Sequence, residues 1–283
     1  MFQDVWEAGR ICRRRCKRDA EDLVFVIVLH GNQFGPGAFM SENARAGVDF
    51  WNNYFWRGLD FFGSGTGVFF PWVFYKVGDT GLTAMYMGQY AAETFFDGTG
   101  NNDAAPGTGL IAYEGAHFNL SYSYTIDKVA TVGVKGWYYW FYRSEDKLNY
   151  DQSWIEGTVF VTLLGIPLNP TISYTHDYYM DEDACVDGEN SKDFYINLSV
   201  GKTIELVKGS TLSLGLAAGY FNYEAGGRKG FSDVVASAKL ATVAGAASLY
   251  SQMNFAVVPD DDFSSNGDDM YRWWANFGVC YSF

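Results

Sequence analysis

Few side chains in this sequence have the type and spacing that chemistry requires. A nucleophile and its base must lie within hydrogen-bond reach, and of three histidines His30 precedes any regular pattern, leaving His117 and His176. Asp177 adjoins His176, but no G-x-S-x-G nucleophile motif occurs, so catalysis is not expected. Cys12 and Cys16 form half of a metal-binding pattern with no second half, and Cys185 and Cys280 stand far away; a metal centre is therefore not expected. Hard cations prefer carboxylate oxygens, and the clusters Asp181, Glu182, Asp183 and Asp260, Asp261, Asp262, with Asp268 and Asp269, offer them. Neither cluster fits a calcium loop, because twelve residues from Asp181 end at Lys192 and Ser265 stands where Gly is required from Asp260. These carboxylates read as solvated external loops that hold divalent cations loosely at most; no cofactor is expected.

The remaining polar residues are ordered by position. From Ala44 onward apolar residues recur at every second place, which on an extended chain puts them on one face. In the last segment Tyr271, Trp273, Ala275, Phe277, Val279, Tyr281 and Phe283 share one side, and Arg272, Trp274, Asn276, Gly278, Cys280 and Ser282 the other. This pattern predicts strands near 44–58, 67–77, 80–93, 109–126, 130–143, 152–163, 169–178, 193–205, 210–223, 231–241, 246–258 and 271–283. Most are longer than a globular strand and long enough to cross a bilayer when tilted. Connections alternate between short turns (Gly78-Asp79, Asp127 to Val129, Gly165 to Leu168, Leu206 to Gly209, Thr242 to Gly245) and longer loops (59–66, 94–108, 144–151, 179–192, 224–230, 259–270). Outer-membrane barrels have this arrangement, with short turns on the periplasmic side.

The expected fold is thus all-β: a transmembrane antiparallel up-and-down β-barrel of about 12 strands over residues 43–283. Residues 1–42 lack the alternation, carry a basic cluster and a seven-residue apolar run, and read as a degenerate export signal or a disordered extension. A β-sandwich would show charged residues on its second face; here that face is rich in Gly, Ser, Thr and Asn, as a lumen would be. The abundance of aromatics, 18% of 283 residues, suits a barrel with lipid outside.

The inward positions read from the alternation are Asp49, Arg57, Gln89, Glu93, His117, Asn119, Lys135, Glu156, Asn197, Lys239, Gln252, Asn254 and Arg272. These either line a narrow aqueous channel or pair across it and close it. The long loops hold 17 of the 28 acids after residue 40 but only four of the 14 bases, so one mouth is strongly anionic. A net charge of −13 leaves no footprint for nucleic acid. The expectation is an outer-membrane channel for small hydrophilic solutes or ions, preferring cations. The alternative is a non-conducting structural or adhesive barrel acting through its acidic external loops.

Two regions carry a resemblance. Phe277, Val279, Tyr281 and terminal Phe283 resemble the C-terminal signal by which the barrel-assembly machinery recognises outer-membrane barrels. The segment Asn53-Tyr54-Phe55-Trp56-Arg57-Gly58-Leu59 resembles the Y-x-[FW]-R-G segment that opens the first hairpin of the TorF-like family of outer-membrane porins. Gly67 to Val77, Asp79-Thr80-Gly81-Leu82-Thr83 and Leu168-Asn169-Pro170-Thr171-Ile172-Ser173-Tyr174 resemble further pieces of it. That resemblance implies an outer-membrane barrel with a transport role for an unnamed solute; the expected partners are the lipid bilayer, lipopolysaccharide bridged by divalent ions at the acidic loops, and small hydrophilic solutes.

Overall fold

The computed structural model describes residues 43–57, 59–60, 67–91, 115–141, 152–179, 193–223, 227–260, 263 and 270–283. Alternating apolar and polar residues satisfy both faces of an extended chain, and the backbone closes on itself because no edge can be left unpaired in lipid. The result is a closed antiparallel barrel of twelve strands. In chain order they are β1 (Ala44–Trp51), then, after two short inner strands β2 (Phe55–Trp56) and β3 (Leu59–Asp60), β4 (Val68–Lys76), β5 (Leu82–Ala91), β6 (Gly115–Ile126), β7 (Ala130–Phe141) and β8 (Gln152–Leu163). They continue with β9 (Thr171–Tyr179), β10 (Phe194–Val207), β11 (Ser210–Tyr223), β12 (Arg228–Ala244), β13 (Ala247–Val257) and β14 (Tyr271–Ser282). Each barrel strand pairs with its neighbour in sequence, and β1 closes the ring by pairing with both β14 and β4.

Twelve residues at roughly 3.3 Å each, tilted by about 45°, span approximately 28 Å, the depth of a hydrocarbon core. Outward side chains match that environment. Val73, Tyr122, Val159, Leu198, Leu216, Leu249, Trp273 and Phe277 are all exposed around the wall. At the loop end they include packed rings, Tyr174 stacked on Phe194 at 5.8 Å and Tyr220 edge-on to Phe231 at 5.8 Å. Such a girdle suits the membrane interface, where one end of an aromatic side chain is apolar and the other wet. His176 belongs to this outer face, between Tyr174 and Tyr178, and away from the lumen.

Inward glycines admit large rings. Gly133 lies opposite Phe160, and Gly278 opposite Tyr250; a Cβ at either glycine would run into that ring. Wide inward aromatics therefore fit without pushing the strands apart.

Most strand ends differ from the sequence expectation by one to three residues, as at the end of β12, Ala244 rather than 241, and two differences alter the reading. The connection expected at 224–230 is only 224–227, because Arg228 already pairs with Tyr223; Arg228 and Lys229 are strand residues. The first strand, expected to reach residue 58, ends at Trp51, and the chain beyond it turns into the barrel. Residues 1–42 and the acids Glu93, Asp181, Glu182, Asp183, Asp261, Asp262, Asp268 and Asp269 lie outside the described residues.

Candidate functional site

The chain leaves the wall at Asn52. Its backbone N–H donates to the Ala275 carbonyl at 3.1 Å, and its side-chain Oδ1 accepts the Ala275 N–H at 2.7 Å. The side chain thus stands in for the next backbone carbonyl, so the strand can stop without orphaning a donor of β14. Beyond it, β2 pairs with β3 as a two-residue ribbon, Phe55 opposite Asp60 and Trp56 opposite Leu59. Arg57, at the ribbon's turn, has φ of 48°, a left-handed conformation that only a well-anchored non-glycine residue holds.

Rings supply much of the anchorage. Phe55 packs on Trp274 with centroids 5.1 Å apart, Trp56 meets Phe221 edge-on at 5.9 Å, and Tyr54 meets Phe70 at 5.4 Å. Phe55, Trp274 and Phe221, with Tyr195, Ala256, Val258 and Phe263, form a dry core inside the loop-side half of the barrel. Burying several large rings stabilises by roughly 1.5–3 kcal/mol per side chain, which holds the ribbon across the lumen.

Arg57 completes the closure. Its Nη1 donates to Asp177 Oδ2 at 2.8 Å and its Nη2 to Glu156 Oε2 at 2.5 Å. The three side chains are 0–2% exposed. The guanidinium also lies over the rings of Trp56 at 4.2 Å, Tyr195 at 4.8 Å and Phe221 at 5.4 Å. A guanidinium stays charged even when buried, so the contact is ionic. Glu156 on β8 and Asp177 on β9 are directly opposite in register. Like charges so placed repel, and Arg57 is what makes the pair tolerable. Asp193 adjoins Asp177, its carbonyl accepting the Asp177 N–H at 3.0 Å, and Asp233 is a further buried carboxylate, which accepts from the Tyr195 hydroxyl at 3.2 Å.

The other expected inward residues separate by height. Gln89, His117 and Asn119 are fully buried in the loop-side half, with His117 Nε2 and Gln89 Oε1 3.1 Å apart. Asn254 is buried, accepts from Gln252 Nε2 at 2.6 Å, and its Nδ2 reaches Asn276 Oδ1 at 3.4 Å. Asn197 donates to the Tyr195 hydroxyl at 3.2 Å, and Arg272 donates to the Tyr271 carbonyl at the loop end. Deeper in the barrel, Lys135 Nζ sits over Phe160 at 4.9 Å and Lys239 Nζ over Tyr250 at 3.7 Å, with Asp49 beside Tyr250.

Towards the turns the wall becomes a ladder of inward hydroxyls. Thr83 pairs with Ser121 at 2.7 Å, Thr162 with Thr171 at 2.8 Å, Thr203 with Ser213 at 2.9 Å and Thr125 with Thr131 at 3.0 Å. These positions keep partial exposure to solvent. The interior is therefore a polar, accessible vestibule below a dry constriction. Sequence reasoning placed Arg57 inside but on the wall, and missed Asp177, Asp193 and Asp233 as lumen residues. The parity that sends Tyr174 and His176 outward already sends Asp177 inward, and Asn52-Asn53 is a recognisable chain-turning signal.

No family model and no curated protein matches the sequence. Among solved structures the chain is similar to the NanC porin, with TM-score 0.51 and 12% identity over 84% of this chain and 100% of that one. The COG4313 outer-membrane channel from Pseudomonas putida F1 aligns at 0.48 and 12% identity over 88% and 99%, and the KdgM porin in complex with disordered oligogalacturonate at 0.48 and 10% over 85% and 99%. Likeness at such identity concerns architecture, so the chain folds as a twelve-stranded barrel of the outer-membrane type, with the architecture of the NanC porin.

Proposed function

We propose that this chain is an outer-membrane porin for passive passage of small hydrophilic solutes or ions, narrowed by the ribbon that comes after β1. The observation that carries the reading is the hydroxyl-lined vestibule inside a closed barrel whose outer wall is apolar. A barrel with a purely structural task has no need of a solvated interior. Tyr54 to Arg57, within the stretch that resembles the TorF-like family, lead into and form the first half of the ribbon, and membership in that family is part of the proposal.

Cation preference belongs to the same reading. The long connections read from the sequence hold 17 acids against four bases, two of which, Arg228 and Lys229, begin β12, and such a loop end concentrates cations at the mouth. Inside, Arg57 is engaged by Glu156 and Asp177, and the other inward charges among the described residues include Arg45, Lys135, Lys239 and Arg272 with Asp49, Asp193 and Asp233, so the mouth carries the preference. The bilayer, lipopolysaccharide bridged by divalent ions at the loops, and the barrel-assembly machinery acting on Phe283 are the partners proposed.

One observation favours the non-conducting alternative. Arg57, Gln89, His117, Asn119 and Glu156 are almost inaccessible to water, so at that height these inward side chains are packed rather than solvated. Reconstitution into planar bilayers separates the readings. Discrete conductance steps support a porin; a silent bilayer containing correctly folded barrel supports the structural role.

A further inference from the structure

We infer that Arg57 is a latch seated in the pore's own cation-selecting pair, so that withdrawing the ribbon opens the lumen and exposes Glu156 and Asp177 to passing cations. This rests on the channel reading above. Glu156 and Asp177 face each other on adjacent wall strands, where two like charges are destabilising unless a cation lies between them. The cation that fills the place is not part of the wall. It arrives on the ribbon after β1, 99 residues from Glu156 and 120 from Asp177 in sequence, on a segment whose removal would leave the twelve strands paired as they are.

The seat is not saturated by its occupant. Asp177 Oδ1 and Arg57 Nε are both buried and have no hydrogen-bond partner among the described residues. The left-handed φ of Arg57 adds backbone strain to the closed form. Among the described residues, Asp193 from the chain before β10 also faces Asp177, and Lys135 from β7 faces Glu156. No group of three or more metal-ligating side chains is placed to hold an ion among the described residues. The pair is thus suited to a cation in transit, which must bind well enough to enter and weakly enough to leave.

The test uses the folded full chain in planar bilayers under a potassium chloride gradient, comparing wild type with Arg57→Ala, Asp177→Asn and the triple variant Arg57→Ala/Glu156→Gln/Asp177→Asn. Coupling within one ion-pair network shifts populations by on the order of tenfold. Arg57→Ala should raise mean conductance by about that factor and keep cation preference. The triple variant should stay open and lose most of the preference. Should Arg57→Ala fail to fold, as shown by loss of heat-modifiable gel mobility, Asp177→Asn carries the test, with a smaller rise in conductance and weaker cation preference. Unchanged conductance in every variant of a conducting wild type overturns the latch and leaves the porin reading intact. A triple variant as cation-selective as Arg57→Ala overturns the role of the carboxylates. Silence of folded wild type and of all variants overturns the porin reading and this inference with it.

Discussion

Replacing Arg57 by Ala removes the side chain that bonds both Glu156 and Asp177 inside the lumen. Directly opposed residues on antiparallel strands have Cβ atoms about 5 Å apart. At an effective dielectric constant of about 20, two carboxylates at that separation repel by roughly 3 kcal/mol. Lost contact with three aromatic faces adds about 1–2 kcal/mol, giving a total of about 4–5 kcal/mol. Truncating one partner of a buried ion pair generally destabilises by about 3–5 kcal/mol, in agreement. Reversible urea unfolding of the barrel in lipid vesicles, followed by the fluorescence of its nine tryptophans, measures the loss. With a slope of about 3 kcal/mol per molar, the midpoint should fall by more than about 1 M. Changing Glu156→Gln and Asp177→Asn in the same chain removes the repulsion and should restore at least half of the loss. An Arg57→Ala barrel as stable as wild type, or a triple variant no more stable than the single one, would refute the ionic account of the closure.

Three further outcomes are expected. Gly278→Val would force Tyr250 and Asp49 out of the space they occupy and should lower stability by about 1–3 kcal/mol, as overpacking does; an unchanged unfolding midpoint would mean that the ring is not seated there. Deleting Phe283, whose N–H bonds the Ala44 carbonyl at 3.1 Å across the barrel seam, should cut outer-membrane assembly without lowering synthesis, read by fractionation and immunoblot; normal assembly would count against its role as a signal. Changing Asp260, Asp261 and Asp262 to Asn should weaken cation preference at low salt and have little effect near 1 M, where screening acts over about 3 Å; reversal potentials that do not move at low salt would remove these loop charges from the selectivity.

The wall of the barrel was legible because lipid and lumen impose opposite demands on alternate residues. Strands β8 and β11 have the boundaries expected from parity alone, 152–163 and 210–223, since each is bounded by a clear turn or loop. The constriction was harder to see. Trp51, Asn53, Phe55 and Arg57 continue the alternation of β1, so a pattern built for a wall also describes a ribbon packed inside it. What separates the two is a pair of hydrogen bonds between Asn52 and Ala275, one donated by each backbone N–H, a contact across 223 residues that local periodicity does not encode. Asp177 was hidden for a different reason: it was weighed only as a neighbour of His176 in a catalytic pair that was not expected, and the carboxylate finds its meaning only beside Glu156 and Arg57. Charge balance along the lumen likewise depended on which acids meet which bases, and that is decided by register.

The most direct test of the porin reading is the current carried by folded wild-type protein in a planar bilayer. Folding is verified in the same preparation by faster gel migration before boiling than after it, because a closed hydrogen-bonded barrel resists detergent. Discrete conductance steps are predicted, with a reversal potential on the cation side that shrinks as salt rises. A preparation that passes the gel test and carries no current at any voltage would contradict the porin reading.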